Sequence, residues 1–255
     1  MPMKTKWLRL TPLLALLALL ALLLLLCACG KGELRIGVAV ESAAPFIGQN
    51  DRRESEGFAV DLGNELAERL GEKAVIVPIA WSERAAALED GTADLLIGML
   101  TEETEQKDAV CTAPYLTGKI VAVAKEGEKS FKLSGARVAV QMESPAYYRY
   151  GFDEAFRASL GEWLSYAGES DLFAALDAGE CDFVLCDVAQ AAVVSTQTET
   201  GYAVAETKGD PLQYILAGKE EDLMQKVEKQ LDKMAADETG KLLSSRWFGE
   251  NRWNR

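Results

Sequence analysis

The chain contains no histidine. It therefore lacks the side chain most used for proton transfer near neutral pH, which is also the commonest metal ligand. Cysteine is sparse, with five in 255 residues, and Cys27 and Cys29 fall in a leader-like start. Cys111, Cys181 and Cys186 remain, an odd number that excludes a complete disulfide set. Cys181 and Cys186 flank an apolar run that reads as a strand. Five strand steps of about 3.3 Å put them roughly 16 Å apart, too far for a disulfide, so they are expected to be buried apolar thiols. There is no Gly-x-Ser-x-Gly elbow, no phosphate loop and no metal-ligand cluster. No catalytic residue and no cofactor or metal is expected. Cations are short as well: 27 Lys and Arg against 40 Asp and Glu, a formal charge of −13. Such a surface repels nucleic acid and anionic head groups, so neither is an expected partner. After residue 28 no second apolar run of spanning length and no low-complexity tract occurs.

What is present begins with the leader. Lys4, Lys6 and Arg9 precede a nearly unbroken Leu/Ala run over residues 13–26, followed by Leu26-Cys27-Ala28-Cys29-Gly30. A basic start, an apolar middle and a small-residue cleavage site make a secretory signal. The last five residues resemble the bacterial lipobox, which implies removal of 1–28 and lipidation of Cys29. An uncleaved membrane helix is the alternative, but a span needs about 17–25 apolar residues and this run sits at the lower edge. The expected location is extracytoplasmic, anchored by lipid to the cell membrane. The remaining ~225 residues allow one large domain or two lobes of about 100 each.

Past the leader, residues 34–40 (LRIGVAV), 74–79 and 94–98 read as strands, the last apolar throughout, as a strand covered on both faces would be. Between them Phe58, Leu62, Leu66 and Leu70 mark a helix stopped by Gly71, and Ser82 is placed to cap a short helix ending near Leu88. This alternation means an α/β fold. The unit then recurs: SERAAALEDGTADLLI at 82–97 aligns with SDLFAALDAGECDFVL at 170–185, sharing Ser, Ala-Ala-Leu, Gly and Asp in register. One repeat suggests two lobes on one plan. Residues 119–124 form an extended segment suited to carrying the chain between lobes, and 137–141 restarts the plan. Strand-like stretches at 201–206 and 212–217 and an amphipathic helix at 220–236 follow. A return crossing at 207–211 would pack the C-terminal helices on the first lobe.

With these elements placed, the chain resembles the amino-acid-type substrate-binding proteins of ABC transporters, the family 3 solute-binding lipoproteins with the type II periplasmic binding-protein fold. Pro45-Phe46 and Gly57-Phe58-Ala-Val-Asp61-Leu62 resemble "PF…GFDVDL", and Trp81 through Leu88, Gly91 and Asp94 resemble "W…AL..G..D". Gly98-Met99 leading to Pro114-Tyr115 resembles "GM…PY", residues 133–141 "L.GK.V.VQ", and Arg246-Trp-Phe-Gly249 the closing "KWFG". The resemblance covers roughly residues 33–249. It implies two lobes, each a mainly parallel sheet flanked by helices, joined by two crossings: 33–118 plus 209–250 form the first and 119–208 the second. It further implies a monomer that closes on a small polar ligand, an amino acid or amine, without chemistry, and is read by ABC permease subunits. Implied contacts are Glu41 and Phe46 on the first loop, Trp81 as a stacking aromatic, and backbone groups of Gly98, Met99 and Leu100. On the second lobe they are Gln141, Ser144 and Asp187, the last as acceptor for a ligand amino group. Asp187 also sits where a carboxylate would cap the helix from Val188. Tyr147, Tyr148 and Tyr150 either line the cleft or cover an apolar surface.

The resemblance breaks at the cleft. Its carboxylate-gripping Arg falls on Glu105, its Thr on Glu102, its first-loop aromatic on Ala43 and its second-lobe Gly on Glu143. The acidic stretch around Glu102, Glu103 and Glu105 either faces the ligand or forms a solvated turn. In the first case cationic or neutral ligands are preferred; in the second a carboxylate would fall to Arg84, Lys107 or Arg149. Two other readings remain: a lipoprotein sensor for a signalling partner, and a dehydratase-like enzyme on the same fold.

The leader makes a direct prediction. Membrane-fraction protein should begin at Cys29 with added acyl mass, and Cys29→Ser should carry none. Intact mass spectrometry checks this, and a wild-type chain that retains 1–28 unmodified contradicts it.

Overall fold

The computed structural model describes residues 32–40, 44–50, 52–98, 100–104, 108–197 and 201–255. The leader, the lipobox with Cys29, and Glu41, Ala43, Met99, Glu105 and Lys107 lie outside the described residues. The chain runs through β1 (Glu33–Ala39), β2 (Gly48–Gln49), β3 (Ser55–Glu56), α1 (Phe58–Leu70), β4 (Lys73–Ile79), α2 (Arg84–Glu89), β5 (Leu95–Leu96), β6 (Val110–Cys111) and β7 (Leu116–Gly118). Then come β8 (Ile120–Lys125), β9 (Arg137–Gln141), α3 (Pro145–Gly151), α4 (Glu154–Ser159), β10 (Glu162–Tyr166), α5 (Glu169–Ala178), β11 (Phe183–Asp187), α6 (Val188–Gln197) and β12 (Tyr202–Glu206). It ends with β13 (Leu212–Tyr214), β14 (Ala217–Gly218), α7 (Glu221–Ala236) and α8 (Thr239–Phe248). Among the described residues no helix is long and apolar enough to cross a membrane.

These strands build two five-stranded sheets on one plan, ordered β4-β1-β5-β14-β6 and β10-β9-β11-β8-β12. In each, three strands pair in parallel and the rest add antiparallel. The strands are covered on both faces, as their unbroken apolar runs required. In the first sheet Leu34, Ile36, Val38 and Leu95 join the core under α1, while Ala39 and Leu96 join a second apolar layer with Leu88 of α2. In the second sheet Val138, Val140 and Leu185 face one layer, and Ala139, Val184 and Cys186 face another built with Leu172 and Leu176 of α5. Helix α1 buries Phe58, Leu62 and Leu66 and stops at Gly71, whose left-handed φ of 78° returns two backbone bonds. Cys181 and Cys186 are buried, as expected of apolar thiols.

The internal repeat has a physical content. Asp94 accepts the Arg35 backbone N–H at 2.8 Å and its guanidinium Nε–H at 3.0 Å. Asp182, at the matching place, accepts the Arg137 backbone N–H at 2.8 Å and its Nη2–H at 2.6 Å. Each lobe thus staples the start of its middle strand to the strand that follows the repeated helix. The Arg137 guanidinium holds the Asp182 carboxyl below the usual carboxylate range.

Three sequence expectations need correction. Residues 119–124 do not carry the chain between sheets; β8 lies inside the second sheet, between β11 and β12. Ser82 does not cap a helix: it lies in a 3₁₀ turn, Trp81–Glu83, and α2 has no side-chain cap. The 94–98 run pairs over only Leu95 and Leu96, continued by Ile97 N–H to Gly37 C=O at 3.1 Å. Between the sheets run β7 and β13, paired antiparallel with Gly118 opposite Leu212 and Leu116 opposite Tyr214.

Gly118 is where this pairing meets the second lobe. A methyl group there would overlap the Asp187 carboxylate and lie 2.7 Å from Tyr214 Cε2. Gly118→Ala should therefore destabilise the protein by about 1–3 kcal/mol in urea unfolding. Wild-type stability in that variant would show that the joint has room to spare.

Candidate functional site

In sheets of this order, ligands bind beyond the carboxyl ends of the parallel strands, where the chain leaves the middle strand in opposite directions. Here that rule selects the loops after β1 and β5 in one lobe and after β9 and β11 in the other. Trp81 and Arg84 follow β4 beside the first of these places. Arg84, the first residue of α2, is 7% exposed, and its guanidinium lies 5.4 Å from the Trp81 ring centroid. Its Nη1–H donates to the Trp81 carbonyl at 2.6 Å, and its Nη2–H to the Tyr148 hydroxyl at 3.0 Å. The same guanidinium forms an ion pair with the carboxylate of Glu143. Glu143 and Tyr148 flank the start of α3, so this contact joins the first lobe, beside its switch point, to the switch point of the second sheet.

The second wall is a tight turn. Ser144 caps α3 by accepting the Tyr147 N–H at 3.2 Å, with Pro145 at the first helical position. Glu143, just before the cap, has a φ of 58°. Gln141 at the end of β9 is buried, and its carbonyl accepts the Ser144 N–H at 3.3 Å. Of the three tyrosines, Tyr148 meets Arg84 while Tyr150 donates to the Lys208 carbonyl at 3.1 Å.

Asp187, at the end of β11, is 5% exposed. Its Oδ1 accepts the Ala189 N–H at 2.7 Å, so the expected helix cap is present. Its Oδ2 accepts the Tyr214 hydroxyl at 3.1 Å, and Arg252 Nη1 lies 3.4 Å from Oδ1. Burial raises the Asp187 pKa against these bonds. Beside it, the Gln190 side-chain amide donates to Glu169 at 2.9 Å and accepts the Asp187 N–H at 3.3 Å. Burial pushes Glu169 up to about 7, opposed by the Gln190 bond.

The structure brings Trp81 and Gly98 together; a Gly98 methyl group would lie 3.7 Å from the Trp81 ring. It places Gln141 and Ser144 on the turn that carries Glu143. Phe46 sits in the first-lobe core among Phe58, Tyr214 and Phe248 and is 2% exposed. Leu100 is buried in the core and its carbonyl is taken by the Ile215 N–H at 3.0 Å. Glu102 is exposed at the start of a 3₁₀ turn. Sequence reading missed the partners Tyr214, Arg252, Glu169 and Gln190. Only Glu169 carried a signal, its place just past a strand and before the repeated helix.

Comparison with known proteins identifies the family and the fold. The family model "Bacterial extracellular solute-binding proteins, family 3" matches residues 34–250. The L-cystine-binding protein TcyJ of Escherichia coli (strain K12) is 27% identical over 229 residues, covering 86% of this chain and 84% of the relative. The histidine-binding periplasmic protein of the same organism is 24% identical over 219 residues, covering 80% and 84%. A solved ancestral arginine-binding protein bound to arginine superposes with a TM-score of 0.76 at 26% identity, over 86% of this chain and 99% of that one.

Glu169 gives a pH prediction. Its folded pKa of about 7 lies above the ordinary 4.5. The folded state therefore binds the extra proton between these values, and this group's contribution to stability falls as pH rises from about 4.5 to about 7. Relative to Glu169→Gln, wild type should lose roughly 1–3 kcal/mol across that interval in urea unfolding. A stability difference that does not change with pH would contradict the assignment.

Proposed function

Because the chain belongs to the bacterial extracellular solute-binding proteins of family 3, we propose that it captures an amino acid outside the cytoplasm and delivers it to an ABC importer. The observation that carries this reading is one charged contact between the lobes, Arg84 beside the first switch point with Glu143 and Tyr148 at the second. A ligand held there touches both lobes at once, and closure around it is the signal a permease reads. The relatives supply the class: they are named for cystine, histidine and arginine.

In this reading the lobes comprise residues 33–118 with 209–250, and 119–208, and they rotate about the paired crossings β7 and β13. Trp81 and Gly98 line one wall, and Gln141 and Ser144 the other. The ligand's amino group falls at the acidic end of the second lobe, where Asp187 and Glu169 lie. With these carboxylates and Glu105, basic and neutral amino acids are favoured over acidic ones. Cys29 carries the lipid that keeps the acidic protein at the membrane. One acyl chain anchors only marginally, so a second chain completes the attachment. The task is binding and handover, with no bond made or broken.

Titration calorimetry and thermal unfolding with arginine, histidine, cystine, glutamine and glutamate test the reading. At a hundredfold excess over Kd a true ligand stabilises the protein by about 2.7 kcal/mol. At least one basic or neutral amino acid should do so, and glutamate should not. An unmoved melting temperature with every member of the set would sink the proposal.

A further inference from the structure

One guanidinium gathers the observations that the fold alone leaves unexplained. Arg84 is nine-tenths buried, and its Nε–H has no hydrogen-bond partner among the described residues. A buried cation with an unsatisfied donor is costly, and a carboxylate docking side-on is the group that relieves it. A carboxylate from the chain itself already sits on the neighbouring Nη1: Glu143 reaches across from the other lobe. Glu143 does so from a left-handed backbone with φ 58°, a conformation that costs a residue with a Cβ and that glycine would adopt freely. A non-glycine residue kept there, with its charge on Arg84, points to a role for the side chain. The Glu143 side chain is about a third exposed, while that of Arg84 is 9% exposed. The carboxylate is the member of the pair that can swing to water; the guanidinium is held by Trp81 C=O and Tyr148 Oη.

We propose that Arg84 is the cation that receives the carboxylate of the amino-acid ligand, and that Glu143 is an internal carboxylate that competes for it. This assignment rests on the amino-acid reading above. Binding then exchanges one carboxylate for another on the same guanidinium. The expelled Glu143 carboxylate leaves Nη1 and turns to solvent, and the ligand's carboxylate docks on the edge formed by the unsatisfied Nε–H and Nη2–H. Affinity for amino acids is lowered by the competition, and affinity for amines that lack a carboxylate is untouched by it.

The test uses three pairs that share a side chain and differ in the carboxylate: L-arginine and agmatine, L-histidine and histamine, L-cystine and cystamine. Calorimetric Kd values are measured on wild type, Glu143→Gln, Arg84→Gln and Arg84→Lys. In Glu143→Gln the bound amino acid should gain about tenfold in affinity, with its amine counterpart unchanged. In Arg84→Gln the amino acid should lose at least tenfold and its advantage over the amine should vanish. Arg84→Lys, which keeps the charge without the fork, should fall between. Amino-acid binding that is unchanged or weaker in Glu143→Gln overturns the assignment while leaving the amino-acid reading intact. If neither wild type nor Glu143→Gln binds any of the six probes or glutamine, the amino-acid reading falls and the assignment falls with it.

Discussion

The buried carboxylate of Asp187 is the contact on which the arrangement of the two lobes depends. It ends a strand of the second sheet, caps α6, and accepts a hydrogen bond from the Tyr214 hydroxyl of the return crossing. The outward crossing passes against it at Gly118. Arg252, from the tail that follows α8, completes the set. Taking a carboxylate out of water costs several kcal/mol, and only a full complement of donors offsets this. Both crossings, one sheet and the C-terminal tail are thereby tied to a single group. Removing any one donor leaves a buried carboxylate short of a hydrogen bond, so the joint is held as a unit.

The second inter-lobe contact has a different physical character. At Arg84 and Glu143 the acidic partner remains partly open to water, so its attraction is weakened by solvent and water can receive it when another carboxylate takes its place. At Asp187 both partners are nearly fully buried. One joint is built to hold and the other to exchange. The distinction arises from burial and from the number of donors, since both are arginine–carboxylate pairs.

Much of this architecture was legible in the residues. Alternating apolar runs located β1, β4 and β9, leucine spacing and Gly71 bounded α1, and the aligned Asp94 and Asp182 disclosed the duplication. The hidden parts are those with little periodicity. Helices α3 and α4 are short, and the run at 94–98 gave too little pattern to show that only two residues pair. Residues 119–124 look extended wherever they lie, so local sequence could not tell a crossing from a central strand. At the site, the position of Asp187 at a strand end was readable. Its partners were not, because Tyr214 and Arg252 are distant in the chain and come together only when the crossings pair. Arg84 was one of three candidate cations until its depth beside Trp81 and its partner across the cleft separated it from Arg149, which donates to the exposed Asp210 carbonyl.

The sheet plan also has a temporal side. All five strands of the second sheet come from one uninterrupted stretch, β8 to β12, whereas the first sheet needs β14, supplied near the end of the chain. A ribosome makes the chain in that order, so the inserted lobe has its full set of strands while its neighbour still lacks one. Domains fold as units when their segments are complete, and the loop that closes the inserted lobe is the shorter one, with the smaller entropic cost. The lobe that begins second is thus the one able to finish first. The β1, β4 and β5 strands must wait, partly paired and with an open edge at β5, until the chain returns through Tyr214.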